Sequence, residues 1–340
     1  MGYERGLFLD PSFFLLIFVK KFTMINTVRN TVLSVLNKNN YGYLSPSDFN
    51  LFAKQAQLDL FESYFYQYNY QINKENARTS GTGLADITKG IEEELNIFSV
   101  SAGLYNQSDN IYFTPSPTTT GSDYYLLNKV LIYDTVLDEG ITTGTVGGQN
   151  KLIDSAADFT VDVQVGDIVA VENSGVQYVN VLSVDNANEL TVSASVINAI
   201  GLPYAIYRKG TRMNEVEKVT HSKITMLNNS HLTSPNTTFP AYTTEGSIMN
   251  VFPESVNSIG RVMCQYIRYP KDPNWTFVSL TNGEPVYDPS QPDFQDFELA
   301  LDSEADLVLK ILQYAGVSIR EGQVYQFAQG EETQNNQEQS

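Results

Sequence analysis

Between Met24 and Ser99 the apolar positions recur at helical steps. Ile25, Val28, Val32, Val35 and Leu36 fall three or four residues apart and predict a first helix, broken at Asn39-Asn40-Tyr41-Gly42. Ser45-Pro46-Ser47-Asp48 reads as a helix start, with a serine cap, proline in the first helical position and an acid in the first turn. Phe49, Phe52, Ala53, Ala56, Leu60 and Tyr64 then line one face of a helix expected to run to about Asn69. A third helical stretch covers Ile72 to Arg78 and stops at Ser80-Gly81-Thr82-Gly83. Leu84, Ile87, Ile91, Leu95 and Phe98 mark a fourth, with Glu92, Glu93 and Glu94 mostly toward solvent. Together these predict a helical bundle over residues 24–99.

After Ser99 the period changes to that of strands, and a β-rich domain is expected over 100–287. Asn110 to Thr114, Tyr124 to Leu127 and Lys129 to Tyr133 are short strand candidates between Pro- and Gly-bearing turns. The most regular stretch, about 144–210, holds five. They lie at Leu152-Ile153, Val165 to Val171, Tyr178 to Val184, Glu189 to Ser193 and Tyr204 to Tyr207, and Gly166-Asp167 marks a tight turn. Short strands at this spacing predict a small antiparallel barrel or sandwich. Further strands are expected near Val262–Tyr269 and Thr276–Leu280. In a C-terminal helical segment over 288–328, a helix starts at Asp302-Ser303, carries Leu307, Val308, Ile311, Leu312 and Ala315 as its stripe, and ends at Gly316. The acidic, Gln-rich tail 329–340 is expected to be disordered. The fold class is therefore α+β.

Charge narrows the partners. The net charge is −18, with −10 carried by residues 100–200 and −9 by 288–340. Such a chain does not hold nucleic acid by neutralising phosphates, and its surface repels DNA. Cys264 is the only cysteine, so no disulfide forms within the chain. The apolar run Phe13 to Val19 is far too short for a bilayer span, and Lys20 and Lys21 follow it rather than precede it as in a signal peptide. No membrane association is expected. Met24 opens the clean amphipathic pattern, so residues 1–23 are read as a non-native or disordered extension.

The residue types needed for catalysis are sparse. His221 and His231, the only histidines, lie in a polar stretch with too few nitrogen or sulfur ligands for zinc. Cys264 sits in a strand pattern, as a small core residue does. Asp138/Glu139 and Asp293/Asp296 are carboxylate pairs that an acidic chain offers by chance, and Asp154, Asp158 and Asp162 lack the spacing of a calcium loop. No catalytic residue, metal or cofactor is expected, and the chain reads as a structural protein rather than an enzyme. Two surface candidates stand out. Tyr64, Phe65, Tyr66, Tyr68 and Tyr70 place rings on more than one side of a helix, beyond what one buried face needs, which predicts a protein contact. Arg208, Lys209 and Arg212 form a basic cluster suited to phosphate or an acidic neighbour.

Two segments carry a resemblance. Asn39-Asn40-Tyr41-Gly42-Tyr43-Leu44-Ser45-Pro46 and Asn73 to Arg78 resemble the start of virion structural proteins of crAss-like bacteriophages. Tyr266-Ile267-Arg268-Tyr269-Pro270-Lys271, Pro273-Asn274-Trp275, Asp296 to Leu299 and Leu309 to Ile319 look like the C-terminal part of the same group. The middle segment around Val165-Gly166-Asp167-Ile168-Val169 is similar to a small β-module of phage tail and adaptor proteins. The resemblance implies a ring subunit of the head-to-tail connector or short tail, typically dodecameric, located in the virion. Its partners would be copies of itself, the portal and other tail or ring proteins, with genomic DNA only passing through a channel. The competing reading is a tail-associated receptor- or glycan-binding module.

Overall fold

A computed structural model of the chain describes residues 23–37, 44–77, 85–144, 150–173, 175–210, 213–281, 283–318 and 329–330. Its α-helices are α1 (Met24–Asn37), α2 (Pro46–Ala77), α3 (Ala85–Asn96), α4 (Phe159–Asp162), α5 (His221–Asn228) and α6 (Glu304–Ser318). The first strands are β1 (Ser99–Gly103), β2 (Asn106–Ser108), β3 (Ile111–Phe113), β4 (Tyr124–Tyr133), β5 (Asp138–Ile141) and β6 (Lys151–Ile153). They are followed by β7 (Ile168–Glu172), β8 (Val176–Asn186), β9 (Glu189–Val192), β10 (Pro203–Tyr207), β11 (Met213–Glu215) and β12 (Glu217–Lys218). The last are β13 (Ala241–Glu245), β14 (Ile248–Phe252), β15 (Val262–Arg268), β16 (Phe277–Ser279) and β17 (Pro285–Tyr287). The chain is α+β and divides into two units, Met1–Ile97 with Pro270–Ser340, and Phe98–Tyr269.

The helical unit packs α2 against α3 and α6, and α1 against α6. Ile25, Val28, Val32 and Leu36 of α1 are buried, as are Phe49, Ala53, Ala56, Leu60 and Phe61 of α2. Ile91 and Leu95 of α3 and Leu307, Ile311, Leu312 and Ala315 of α6 complete the apolar interior. The helix expected to stop near Asn69 and the separate stretch from Ile72 are one 32-residue helix, because neither Tyr70 nor Gln71 between them breaks a helix. α6 likewise continues past Gly316, its expected stop, to Ser318. Gly316 is buried, and an interior glycine lowers helix stability by only about 1 kcal/mol relative to alanine.

The segment after Pro270 belongs to this helical unit, although sequence carried the β-rich domain to 287. Side-chain amides on α2 hold it there. Gln57, 1% exposed, donates from Nε2 to the Lys271 carbonyl (2.8 Å) and accepts the Glu298 N–H on Oε1 (3.0 Å). Asn50 accepts the Trp275 N–H (2.9 Å) and donates to the Trp275 carbonyl and to Asn274 Oδ1. The Asp296 carboxylate accepts the N–H groups of Met24 and Ile25 (3.1 and 2.8 Å), serving as a remote cap for α1.

The second unit is a sandwich with a barrel inserted into it. A four-stranded sheet, β1-β15-β4-β11, and a five-stranded sheet, β12-β13-β14-β3-β2, share one apolar core. That core includes Leu104, Tyr112, Val130, Ile132, Tyr242, Met249, Val251, Val262, Cys264 and Tyr266. All pairs in these two sheets are antiparallel except β12 with β13. The two strands expected over 124–133 are one, β4, and Asn128 between them falls at a register shift opposite Gln265/Tyr266.

Between β4 and β11 the chain forms a six-stranded sheet in the order β5-β10-β7-β8-β9-β6. Beyond β5, the N–H groups of Thr143 and Gly144 reach the Ile153 carbonyl of β6 (2.8 and 3.4 Å), which closes the sheet into a barrel. Leu152, Phe159, Val169, Val171, Val179, Val181, Leu190, Val192, Tyr204 and Ile206 fill it. All five expected strands are present, while Asp158-Phe159 opens the short helix α4 with Asp158 as its cap. The sixth strand, β5, went unrecognised because Asp138-Glu139-Gly140-Ile141 lacks any β-forming alternation. At the turn before β15, Gly260 adopts φ +65°, and a Cβ there would lie 2.4 Å from the Ala170 Cβ.

Candidate functional site

The five ring positions on α2 separate into different roles. Tyr64 is buried and its hydroxyl hydrogen-bonds Ser303 (2.6 Å), and burial pushes its pKa up to about 12. It belongs to the core, not to an interface. Phe65 is half-buried with its ring edge-on to Phe61, centroids 5.2 Å apart. Tyr68 donates to Glu92 of α3 (2.9 Å), so it ties two helices together. Tyr66 and Tyr70 remain on the surface, 76% and 52% exposed. Being four residues apart they share one face of α2. Of the acids expected toward solvent on α3, Glu94 is half-buried, and desolvation followed by the nearby Asp302 raises its pKa.

A second exposed apolar surface on the helical unit is the β16–β17 hairpin. Phe277, Val278, Leu280 and Val286 are 40–49% exposed. The hairpin has no third strand among the described residues, so both of its edges are open. It is rooted by Trp275, 2% exposed, whose ring stacks on Phe277 (5.6 Å) and Tyr287 (5.9 Å). The Arg29 guanidinium lies 3.8 Å from the Trp275 ring centroid, and the indole N–H donates to Asn26 (3.1 Å). Sequence reading missed this surface, since Thr276 to Leu280 was expected as one more strand of the β-rich domain. The signal available was the sole tryptophan beside Pro273-Asn274.

In the basic cluster, Arg208 is engaged within the fold. The Arg208 guanidinium is 3.6 Å from the carboxylate of buried Asp167 and donates to the Asp162 carbonyl (2.6 Å). Asp167 also accepts the backbone N–H of Gln164 and Lys209, fixing the turn at Gly166. Only the Lys209 side chain is exposed; Arg212 lies outside the described residues.

The carboxylate pairs are engaged in the fold. Asp296 caps α1, and Asp293 accepts from Asn274 (3.0 Å). Asp138 has Asp154, not only Glu139, among the groups acting on it. Desolvation raises its pKa first, with Asp154, Asp162 and Glu139 adding to the effect and the Glu139 N–H opposing it. Asp154 is buried and accepts the Tyr204 hydroxyl (2.8 Å). Cys264 is buried, and desolvation lifts its thiol to about 12, so it holds no reactive thiolate at neutral pH. His221 and His231 are both exposed, at the start of α5 and in the loop after it. Among the described residues no group of three or more His, Cys, Asp or Glu is arranged to hold a metal, and no helix is long and apolar enough to cross a membrane.

No known protein family and no curated protein matches the chain.

Proposed function

We propose that this chain is a structural subunit of a phage virion, assembling into an oligomeric ring of the head-to-tail connector or short tail. The observation that carries the reading is the composition of the helical unit. Of the stretches that resemble crAss-like virion proteins, the described parts Leu44 to Pro46 and Asn73 to Ala77, early in the sequence, share that one unit with Pro270 to Trp275, Asp296 to Leu299 and Leu309 to Ser318, late in it. Asn50, Gln57, Arg29, Trp275 and Asp296 join the two sides, while Tyr266 to Tyr269 belong to the second unit. That unit also presents apolar groups that its own fold leaves exposed, Tyr66 and Tyr70 on α2 and the open-edged β16–β17 hairpin. Exposed tyrosines and unpaired strand edges are what subunit contacts use. The acid concentrated in residues 100–200 suits a surface past which DNA slides without sticking.

The test is mass photometry with negative-stain imaging of the purified chain, alone and with its cognate portal. The reading expects rings, formed spontaneously or on the portal. A stable trimer, or a monomer indifferent to the portal, overturns it in favour of a receptor- or glycan-binding module.

A further inference from the structure

A cleft in the second unit belongs to neither of the helical-unit surfaces that the assembly reading uses for contacts. It has a volume of about 380 Å³ and is lined by Tyr105, Phe113, Thr118, Thr119, Glu172 and Gly175. Tyr105 precedes β2 and Phe113 ends β3, their ring centroids 5.9 Å apart and tilted by 39°. The Phe113 N–H donates to the Tyr105 carbonyl (3.0 Å), which fixes the two rings side by side. Glu172 closes β7 and pairs with Val176 beside the turn of the β7–β8 hairpin.

The lining chemistry selects the ligand. Both threonine hydroxyls are already engaged, Thr118 with Ser116 Oγ (3.0 Å) and Thr119 with Ser116 Oγ and the Ser116 N–H (2.9 and 3.1 Å). The Gly175 carbonyl accepts the Asn173 N–H (3.0 Å). A carboxylate and two aromatic rings remain to meet a guest. Among the described residues no Lys or Arg forms an ion pair with Glu172. Residues 98–269 together carry nine basic and sixteen acidic side chains, a net −7 that disfavours anionic ligands and favours cations. A sugar needs several free donors and acceptors besides a ring to stack on, and the described lining residues, with both threonine hydroxyls engaged, offer no such set. An alkylammonium group needs only an aromatic face and a carboxylate.

We propose that this cleft is a binding site for an organic ammonium cation, held by Glu172 against the rings of Tyr105 and Phe113. Consistent with this, the carboxylate is near enough to hydrogen-bond the Tyr105 hydroxyl, which raises the phenol pKa. The cation can come from a small quaternary amine or from a lysine side chain of another protein.

The test is an NMR titration of the full chain with tetramethylammonium chloride and, separately, with Nα-acetyl-lysine methylamide. Sodium chloride at matched ionic strength and methyl glucoside serve as controls. The expected result is saturable shifts at Tyr105, Phe113 and Glu172, with Kd on the order of 1–10 mM. Glu172→Gln should weaken binding about tenfold, and Phe113→Leu about three- to fivefold. Tighter binding of the lysine derivative assigns the site to a protein side chain, and tighter binding of tetramethylammonium assigns it to a small amine. No saturable shift up to about 100 mM, equal shifts with sodium chloride, binding of the glucoside alone, or full affinity in Glu172→Gln would each overturn the proposal.

Discussion

Replacing Trp275 by alanine tests the argument for how the helical unit is held together. The indole is 2% exposed, and truncating a buried tryptophan costs about 3–5 kcal/mol. The change also removes two ring stacks, the hydrogen bond to Asn26 and the aromatic face beneath Arg29, which is itself only 6% exposed. Losing that face leaves a guanidinium over a void, so the expected loss sits at the upper end, about 4–5 kcal/mol. Against a whole-domain stability of about 5–15 kcal/mol, this leaves the helices near their unfolding threshold. Trp275→Phe keeps a ring against Phe277 and Tyr287 and gives up the indole N–H bond, so it should cost about 1–2 kcal/mol. The assay is urea unfolding followed by circular dichroism at 222 nm, because Trp275 is the only tryptophan and its fluorescence vanishes with it. A loss below about 1 kcal/mol for the alanine variant, or equal losses for both variants, would refute the reasoning.

Asp296→Ala removes the carboxylate that accepts the Met24 and Ile25 N–H groups, and should lower stability in urea unfolding by about 1–2 kcal/mol; no change would mean the cap contributes nothing. Gly260→Ala combines φ +65° with a Cβ 2.4 Å from that of Ala170, so calorimetry should register a loss above about 2 kcal/mol. Because the folded pKa of Asp138 is raised, the folded state holds that proton more tightly than the unfolded chain. Its contribution is therefore full below the ordinary carboxylate pKa and is lost as pH rises through the higher folded value. Asp138→Asn should gain stability relative to the parent between acidic and neutral pH, and a pH-independent difference would count against the burial argument. Tyr66→Ala should lower the oligomeric fraction in mass photometry while leaving thermal unfolding within about 0.5 kcal/mol, since the ring is 76% exposed.

Local rules made much of the fold legible. The Ser45-Pro46 start, the stripe through Phe49, Ala53, Ala56 and Leu60, and the five barrel strands depend on period and turn chemistry that neighbouring residues carry. What escaped depends on distant partners. Tyr64 looks no different from Tyr66 in sequence, yet the first is buried and bonded to Ser303, 239 positions away, while the second is 76% exposed. The assignment of Pro270 onward to the helical unit rests on Gln57 and Asn50, whose amides pair with backbone more than two hundred residues on. β5 carries acidic residues where a strand would carry branched ones, and only its pairing with β10 makes it a strand. Arg208 read as suited to phosphate or an acidic neighbour because nothing local shows that its guanidinium lies against Asp167, although the Gly166-Asp167 turn itself was legible.

The nesting of the chain has a consequence for how it is made. The barrel lies within the sandwich sequence, between β4 and β11, and the whole second unit lies between the two halves of the helical one. On the ribosome the barrel is the first piece whose strands have all emerged, and the sandwich must wait for β15. Helices α1 to α3 leave the tunnel before the other described elements, yet Trp275 follows the end of α3 by 179 residues, and Asp296 and α6 by 200 or more. At about 5–20 residues per second, their apolar faces stay uncovered for on the order of ten seconds or more. The part of the molecule translated first is thus the last to be completed, and during that interval it is the segment with most need of a chaperone.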